Sequence, residues 1–348
     1  MSSRTQFTAR QWRISDPPTG FDALRLQEAP VGELGPSDVL VKVKAVSLQF
    51  RDMVISKGIY SLPVKPSAVL GSDAAGEVVA VGSGVSKWRA GDRVASNFNI
   101  LHIHGDLTTA TAQGTLGAAV DGVLSTYKIF PAEALVRVPE HLSYEEASTL
   151  PCAAVTAYNA LLSGPQPLKG GDTVLIEGTG GVSIFALQLV LASGAVPIVL
   201  TSSEAKIAAV RKLGAEHVIN YKEVPDWDVE VRKLTGGEGV DHVIEVSGGQ
   251  TLDKALRSVR LGGTISAIGI VDNLASSPDL FIQCIVKGVV IRGIQIGSRT
   301  QFENLNKLLA ARKVHPVVDR VFPFEQLADA LKYLESQKHV GKVVIEVT

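Results

Sequence analysis

Thr173-Val174-Leu175-Ile176, followed by Gly178-Thr179-Gly180-Gly181-Val182-Ser183, is the stretch that decides the fold. An apolar strand runs into clustered glycines and then into a helical pattern. Glycines permit a tight turn and let the backbone approach a pyrophosphate, and the next helix aims its unpaired N–H groups at that phosphate. The residues Gly178, Thr179, Gly180, Gly181 and Val182 are therefore candidate cofactor-binding residues. The pattern is incomplete, because Ser183 holds the place of a third glycine. Alone it also fits an ordinary glycine turn in an α/β protein.

The 348 residues exceed one compact core and predict two domains. Basic residues number 34 and acidic residues 35, a formal net charge of -1, so nothing marks a nucleic-acid or acidic-lipid partner. Two cysteines, Cys152 and Cys284, form neither a disulfide framework nor a C-x-x-C zinc pattern. The opening Met1-Ser2-Ser3-Arg4-Thr5 lacks an apolar signal region, and a cytosolic location is expected. Gly178 to Ser203 contains no charge, but Gly180, Gly181, Gly194 and Pro197 break it into a buried helix and a buried strand rather than a membrane span.

From about residue 172 strands and helices alternate. The strand candidates are Thr173–Ile176, Val196–Thr201, His217–Tyr221, His242–Val246, Thr264–Ile268 and Val289–Ile296. Helical patterns at Val182–Ser193, Glu204–Leu213, Trp227–Leu234, Leu252–Leu261 and Asp279–Lys287 lie between them, and Gly214, Gly236-Gly237 and Gly262-Gly263 read as helix stops. This order predicts an α/β fold with a doubly wound parallel sheet. The first 150 residues are β-rich instead: Val39–Val46 alternates as a half-buried strand, and Gly76–Gly82 and Gly91–Val94 read as short strands with glycine turns. Helices are expected at Gln301–Arg312 and Phe324–Gln337, and a last strand at Lys342–Val347.

Six further segments occur in an order that resembles the medium-chain dehydrogenase/reductase superfamily. They are Gly71-Ser72-Asp73-Ala74-Ala75-Gly76-Glu77-Val78, Gly91-Asp92-Arg93-Val94, the run Leu150–Tyr158, the run Leu213–Tyr221, Gly239–Val243 and the closing Val340-Gly341-Lys342-Val343-Val344. The resemblance covers essentially the whole chain. It implies a GroES-like substrate domain of residues 1–153 and 295–348 around a Rossmann domain of residues 154–294.

The resemblance also raises the question of zinc. Gln49, Ser72 with Asp73, and Cys152 stand where zinc-dependent alcohol dehydrogenases of the superfamily place their metal ligands. Only Cys152 is a good zinc donor, and a zinc site needs about three such ligands plus water. Arg51 and Val54 stand where those enzymes carry a serine–histidine proton relay, and no cysteine lies between residues 1 and 151 to build a structural zinc lobe. What remains resembles the zinc-free quinone- and enone-reductase branch, with no metal, and Cys152 reads as a buried small residue. Gln49, Arg51 and Tyr60 fall in that branch's substrate region and are the candidate catalytic donors. His102 and His104 read as solvated loop residues.

The cofactor expected is NADP. NAD-preferring Rossmann domains carry an acid at the tip of the second strand, and here that tip reads Leu200-Thr201-Ser202-Ser203. Ser202, Ser203 and Lys206 supply donors for a 2′-phosphate instead, and Tyr221 resembles the tyrosine that packs there in NADPH-dependent relatives. The resemblance puts Thr156, Val246, Ile268, Ile270, Ile294, His339, Gly341 and Lys342 near the nicotinamide, with Ser298 and Arg299 following the last sheet strand. The resulting expectation is hydride transfer from NADPH to a quinone or an α,β-unsaturated carbonyl, on a small-molecule substrate. A zinc-type alcohol or aldehyde dehydrogenase and a non-enzymatic NADPH-binding protein stay open. The long apolar stretch Val289–Ile296 ends the sheet, and an unpaired edge of that kind predicts a homodimer.

Overall fold

The computed structural model describes residues 7–249, 251–269 and 280–348. The chain forms two compact units, one of residues up to 155 with 297–348, the other of residues 156–296. Ile270 and Asp279 lie outside the described residues.

The first unit opens with an antiparallel pair, β1 (Thr8–Arg13) and β2 (Arg25–Pro30). Its centre is β3 (Asp38–Ser47), whose alternating Val39, Val41 and Val43 are buried. That alternation is what a half-buried strand requires. β4 (Asp73–Val81) pairs antiparallel with β3 from Val39↔Val81 to Ser47↔Asp73. A Cβ on Gly76 would fall 2.3 Å from the Lys42 carbonyl, so only glycine fits where β4 crosses the irregular part of this ladder. β5 (Arg93–Ser96), β6 (Tyr127–Pro131) and β7 (Leu135–Arg137) extend the sheet. Gly91 makes the turn before β5 with φ +88°.

The second unit is a six-stranded sheet of β8 (Thr173–Glu177), β9 (Val196–Thr201), β10 (His217–Asn220), β11 (Val240–Glu245), β12 (Val259–Ala267) and β13 (Val290–Gly293). All its pairings are parallel, in the order β10-β9-β8-β11-β12-β13. The order reverses between β8 and β11, which opens a crevice outside their carboxyl ends. The helix Gly181–Ala192 buries Ile184, Phe185, Leu187, Leu189 and Val190, and so is apolar nearly all round.

Two expectations need correction here. The helix at 252–261 ends earlier: it spans Thr251–Ser258, and β12 begins at once with Val259. Gly262-Gly263 is therefore not a helix stop. Gly262 has φ +69°, and a Cβ on Gly263 would lie 2.9 Å from the Asp241 carbonyl, so the pair carries an irregularity within the ladder to β11. β13 is also shorter than Val289–Ile296. It stops at Gly293, and Ile296 turns the chain away with φ +55°. The Asn159 side chain donates to the Ile296 carbonyl at 2.7 Å, while Arg292 donates to the Asn159 carbonyl and side chain at 2.8 and 2.7 Å.

The chain then completes the first unit. The predicted helix at 324–337 is a single 3-10 turn, Phe324–Gln326, followed by a helix over Leu327–Glu335. β14 (Val318–Pro323) lies parallel to β15 (Lys342–Glu346), and β15 pairs antiparallel with β3. Leu48, Leu70, Leu124, Phe130 and Phe324 are fully enclosed in the core of this unit. Each such side chain contributes roughly 1.5–3 kcal/mol by leaving water.

Candidate functional site

In the second unit the glycine turn has the form the sequence predicts. Gly178 has φ +72°, a conformation that favours glycine. A Cβ there would meet only Ser183 Oγ at 3.9 Å, and a Cβ on Gly180 would meet nothing within 4 Å. Open space thus lies over the turn, and no side chain caps the 12-residue helix that follows. Ser183, in the third glycine's place, donates its hydroxyl to the Glu177 carbonyl at 2.6 Å and ties helix to strand. Thr179 is buried, while Gly181 and Val182 are half-buried.

The predicted nicotinamide-end residues of this unit gather at the same carboxyl edge. The Ile268 N–H donates to the Glu245 carbonyl and the Ile294 N–H to the Ala267 carbonyl, both at 2.9 Å. Val246 follows β11 directly, and a Cβ on Gly269 would sit 2.0 Å from its carbonyl oxygen, so these strand ends approach closely. The buried hydroxyls of Thr156 and Thr201 have no hydrogen-bond partner among the described residues. Open glycines, an uncapped helix start and orphaned hydroxyls fit a dinucleotide.

At the tip of β9 the structure brings the predicted phosphate-end residues together. The Tyr221 N–H donates to the Thr201 carbonyl at 3.0 Å, and its side chain is exposed beside the tip. Ser203 precedes the helix Glu204–Lys212, and the Lys206 N–H donates to its carbonyl at 3.1 Å. Ser202, Ser203 and Lys206 are half-buried, and the nearest carboxylate in sequence, Glu204, is exposed at the first helical position.

The first unit holds a buried polar cluster, assembled by strand register. Ser47 lies opposite Asp73 on one side of β3 and opposite Val344 on the other, so the start of β4, the end of β3 and the start of β15 converge. Asp73 is fully buried. Its carboxylate accepts from Gln49 Nε2 at 2.6 Å, Ser72 Oγ at 2.6 Å and the Cys152 N–H at 2.9 Å. Burial pushes its pKa up to about 6, against the opposing pull of the Lys342 ammonium. Lys342, also buried, donates to the Leu48 carbonyl, and burial lowers its pKa. Burial and then Asp73 raise the pKa of the Cys152 thiol.

These residues do not fit a zinc ion. The Asp73 carboxylate is taken by three protein donors, the thiol is held protonated, and an ammonium lies beside them. Among the described residues no group of three His, Cys, Asp or Glu is arranged to hold a metal.

Of the predicted donors, Gln49 is buried and directs its amide at Asp73. Arg51 donates through Nη2 to the Leu116 carbonyl at 2.6 Å, and its guanidinium lies over the rings of Phe98 (4.9 Å) and Tyr60 (5.7 Å). Its Nε and Nη1 have no hydrogen-bond partner among the described residues. Arg51 and Tyr60 are thus neighbours, as expected of one site, while Phe98 and Leu116 give no sequence signal. His339 and Gly341 precede β15 in the first unit, where Gly341 turns with φ +81°.

Two readings change. His102 is not solvated: it is buried, its Nε2 lies 2.9 Å from the Gly105 carbonyl, and its own carbonyl accepts from Arg299 and Asn97. His104 is exposed. Ser298 caps the helix Arg299–Arg312, and Arg299 pairs with Glu133. Cys152 is only partly buried as a residue, although its thiol is enclosed.

Comparison with known proteins agrees with this arrangement. The family described as "Alcohol dehydrogenase GroES-like domain" matches residues 35–140, and that described as "Zinc-binding dehydrogenase" matches residues 181–311. A zinc-type alcohol dehydrogenase-like protein, C1773.06c of Schizosaccharomyces pombe, is 44% identical over 344 residues, covering 97% of this chain and 99% of its own. The crystal structure of an NAD-dependent alcohol dehydrogenase superposes with a TM-score of 0.87 at 30% identity, covering 97% of this chain and all of that one. The 2-octenoyl-CoA carboxylase reductase CinF, in complex with NADP and 2-octenoyl-CoA, gives a TM-score of 0.85 at 29% identity, covering 97% of this chain and 87% of its own. A relationship this close, end to end, in a chain that pairs a β-rich unit with an inserted parallel sheet, makes it a member of the medium-chain dehydrogenase/reductase superfamily of oxidoreductases.

Proposed function

We propose that this oxidoreductase works without zinc and reduces an α,β-unsaturated carbonyl or a quinone with NADPH. The observation that carries the metal-free reading is the saturation of Asp73 by Gln49, Ser72 and the Cys152 amide, at the positions where zinc enzymes of the superfamily hold their metal. The likeness to a reductase seen with NADP and an octenoyl thioester supports the cofactor and the conjugated substrate, while the likeness to an NAD-dependent enzyme favours the alternative cofactor. The absence of a carboxylate at the tip of β9 weighs for NADPH.

Bound NADPH supplies a hydride at its nicotinamide ring. Gly178 and Gly180, with the N-terminus of the helix Gly181–Ala192, hold the pyrophosphate. Ser202, Ser203, Lys206 and Tyr221 receive the 2′-phosphate, and the hydroxyl of Thr156 serves the nicotinamide end. In the first unit Arg51 keeps two guanidinium nitrogens for an acceptor oxygen, and Tyr60 borders the same place. Fixed donors of this kind stabilise the oxyanion that develops when hydride reaches a conjugated carbonyl.

The test is NADPH oxidation over a panel of enones, enoyl thioesters and quinones, with a chelator present throughout and NADH in parallel. Turnover with NADPH in chelator, and little with NADH, is the expected result. Activity that disappears with about one extracted zinc per chain refutes the metal-free reading. Tight NADPH binding with no turnover on any substrate refutes the enzymatic one.

The protein is further proposed to be a homodimer joined along β13. The helix that precedes this edge strand in the chain, Leu280–Lys287, leaves Phe281, Ile282, Ile285 and Val286 between 54% and 79% exposed. Four large apolar side chains on two turns form the kind of patch that marks an interface. Sedimentation at about micromolar concentration should give twice the chain mass, and Phe281→Asp with Val286→Asp should halve it. A monomer before any substitution rules the dimer out.

A further inference from the structure

Two glutamates end the central strands of the second unit, and both are 2% exposed. Glu177 closes β8 and Glu245 closes β11. The ladder pairs Ile176 with Ile244, so one step further it sets the two carboxyl groups opposite each other on one face of the sheet. Glu245 is well satisfied. Its Oε1 accepts from the N–H groups of Ser247 and Gly248, each at 2.8 Å, and the Thr251 hydroxyl reaches its two oxygens at 3.0 and 2.9 Å. Glu177 is not: no hydrogen bond of regular geometry satisfies either of its oxygens among the described residues.

Among the described residues no cation compensates this pair. β8, β9 and the helix Gly181–Ala192 contain no Lys or Arg. On the helix Thr251–Ser258, Lys254 is engaged at the Pro225 carbonyl beside Asp228, and Arg257 bonds Asp228 at 2.6 Å. Asp253 adds only a further acid to that helix. On β12, Arg260 bonds Asp241 at 2.6 Å. Two ionised carboxylates buried together would repel, and such pairs keep a proton between them.

We propose that Glu177 holds that shared proton and donates it in a hydrogen bond to Glu245, so that the two glutamates position the cofactor site by tying the glycine turn after β8 to the segment after β11. The positioning role rests on the cofactor reading above. Glu177 immediately precedes Gly178, and its carbonyl accepts from Ser183 in the first turn of the phosphate-facing helix. Glu245 organises Ser247, Gly248 and Thr251 at the neighbouring strand end. Burial, followed by the charge of Glu245, raises the Glu177 carboxyl well above its ordinary value of 4.5, and the Val246 N–H and the Ser247 hydroxyl oppose this more weakly.

The pH dependence follows. Above 4.5 the unfolded chain releases this proton while the folded chain keeps it, so stability falls as pH rises towards the pKa of the pair. Glu177→Gln keeps a neutral donor to Glu245 and removes the titration. Its Tm should match the parent's near pH 5 and exceed it by about 2 °C or more near pH 9. Over the same range the NADPH dissociation constant of the parent should rise about fivefold or more, while that of E177Q stays flat. The infrared spectrum of the parent near neutral pH should contain a protonated-carboxyl C=O stretch that E177Q lacks and that disappears on unfolding. Coincident pH profiles for parent and variant, or no such band in a parent that binds NADPH, overturn the shared proton. A parent that has the band but binds no NADPH overturns the cofactor reading, and the positioning role with it.

Discussion

Replacing Asp73 with alanine is expected to cost about 3–5 kcal/mol of folding stability near neutral pH, the usual penalty for stripping a buried charge of its partner. The substitution removes the strongest carboxylate attraction on the enclosed Lys342 ammonium, leaving that of Asp52, and orphans the donors of Gln49, Ser72 and Cys152. The cost has a pH sign. The folded pKa of Asp73 is raised from 3.8 to about 6, so the parent loses stability as pH rises between those values, and a variant without the group does not. The gap between parent and variant is therefore widest in acid and narrows towards neutrality. Urea denaturation across the range measures it, and Asp73→Ala combined with Lys342→Met should recover at least half of the loss. A single-variant cost under about 1 kcal/mol, or a double variant no better than the single, contradicts the coupling.

Gly180→Val should weaken nucleotide binding sharply while sparing the fold. Gly180 lies in extended backbone, φ -74° and ψ -175°, which valine adopts freely, and a Cβ there touches nothing. On the cofactor reading proposed above, the added methyls take the open space over the turn that the pyrophosphate would fill. The NADPH dissociation constant should rise about 100-fold, equivalent to roughly 2.7 kcal/mol, with Tm unchanged within about 2 °C. Calorimetric titration and a melting curve decide it, and undiminished affinity removes the phosphate from this turn. Gly178 offers no such clean test, because its φ of +72° would strain any replacement.

The parallel sheet was legible because each of its strands is a short apolar run bounded by glycine or polar turns, and because an inserted helix without charge has few other places to go. The boundaries that shifted did so where tertiary pairing overrode local signals. Val259 to Leu261 continues a helical pattern but finds β11 to pair with. Residues Ser202 to Lys206 and Tyr221 were legible as a group, since a strand tip and the next strand's end meet by topology alone. The cluster around Asp73 was not. Its members come from three strand ends and a distant helical turn, and only the register of β3 with β4 and β15 brings them together. One signal was available: Lys342 and Asp73 are charged residues that open strands, each followed directly by uncharged small or apolar residues. Glu177 and Glu245 carry the same signal at the ends of β8 and β11, where a carboxylate closes an apolar run.

The bonds that join Asn159 to Ile296 and Arg292 give the second unit a particular kind of inheritance. They fasten its entrance to its exit, so the polypeptide leaves the module almost where it came in. A module with adjoining ends can be spliced into a surface loop of a host without prising that loop apart. Residues 156–296 form a compact unit whose two ends adjoin, the arrangement that insertion into a loop requires. Ile296, at the exit, takes a positive φ of +55° that costs a non-glycine residue about 1–3 kcal/mol.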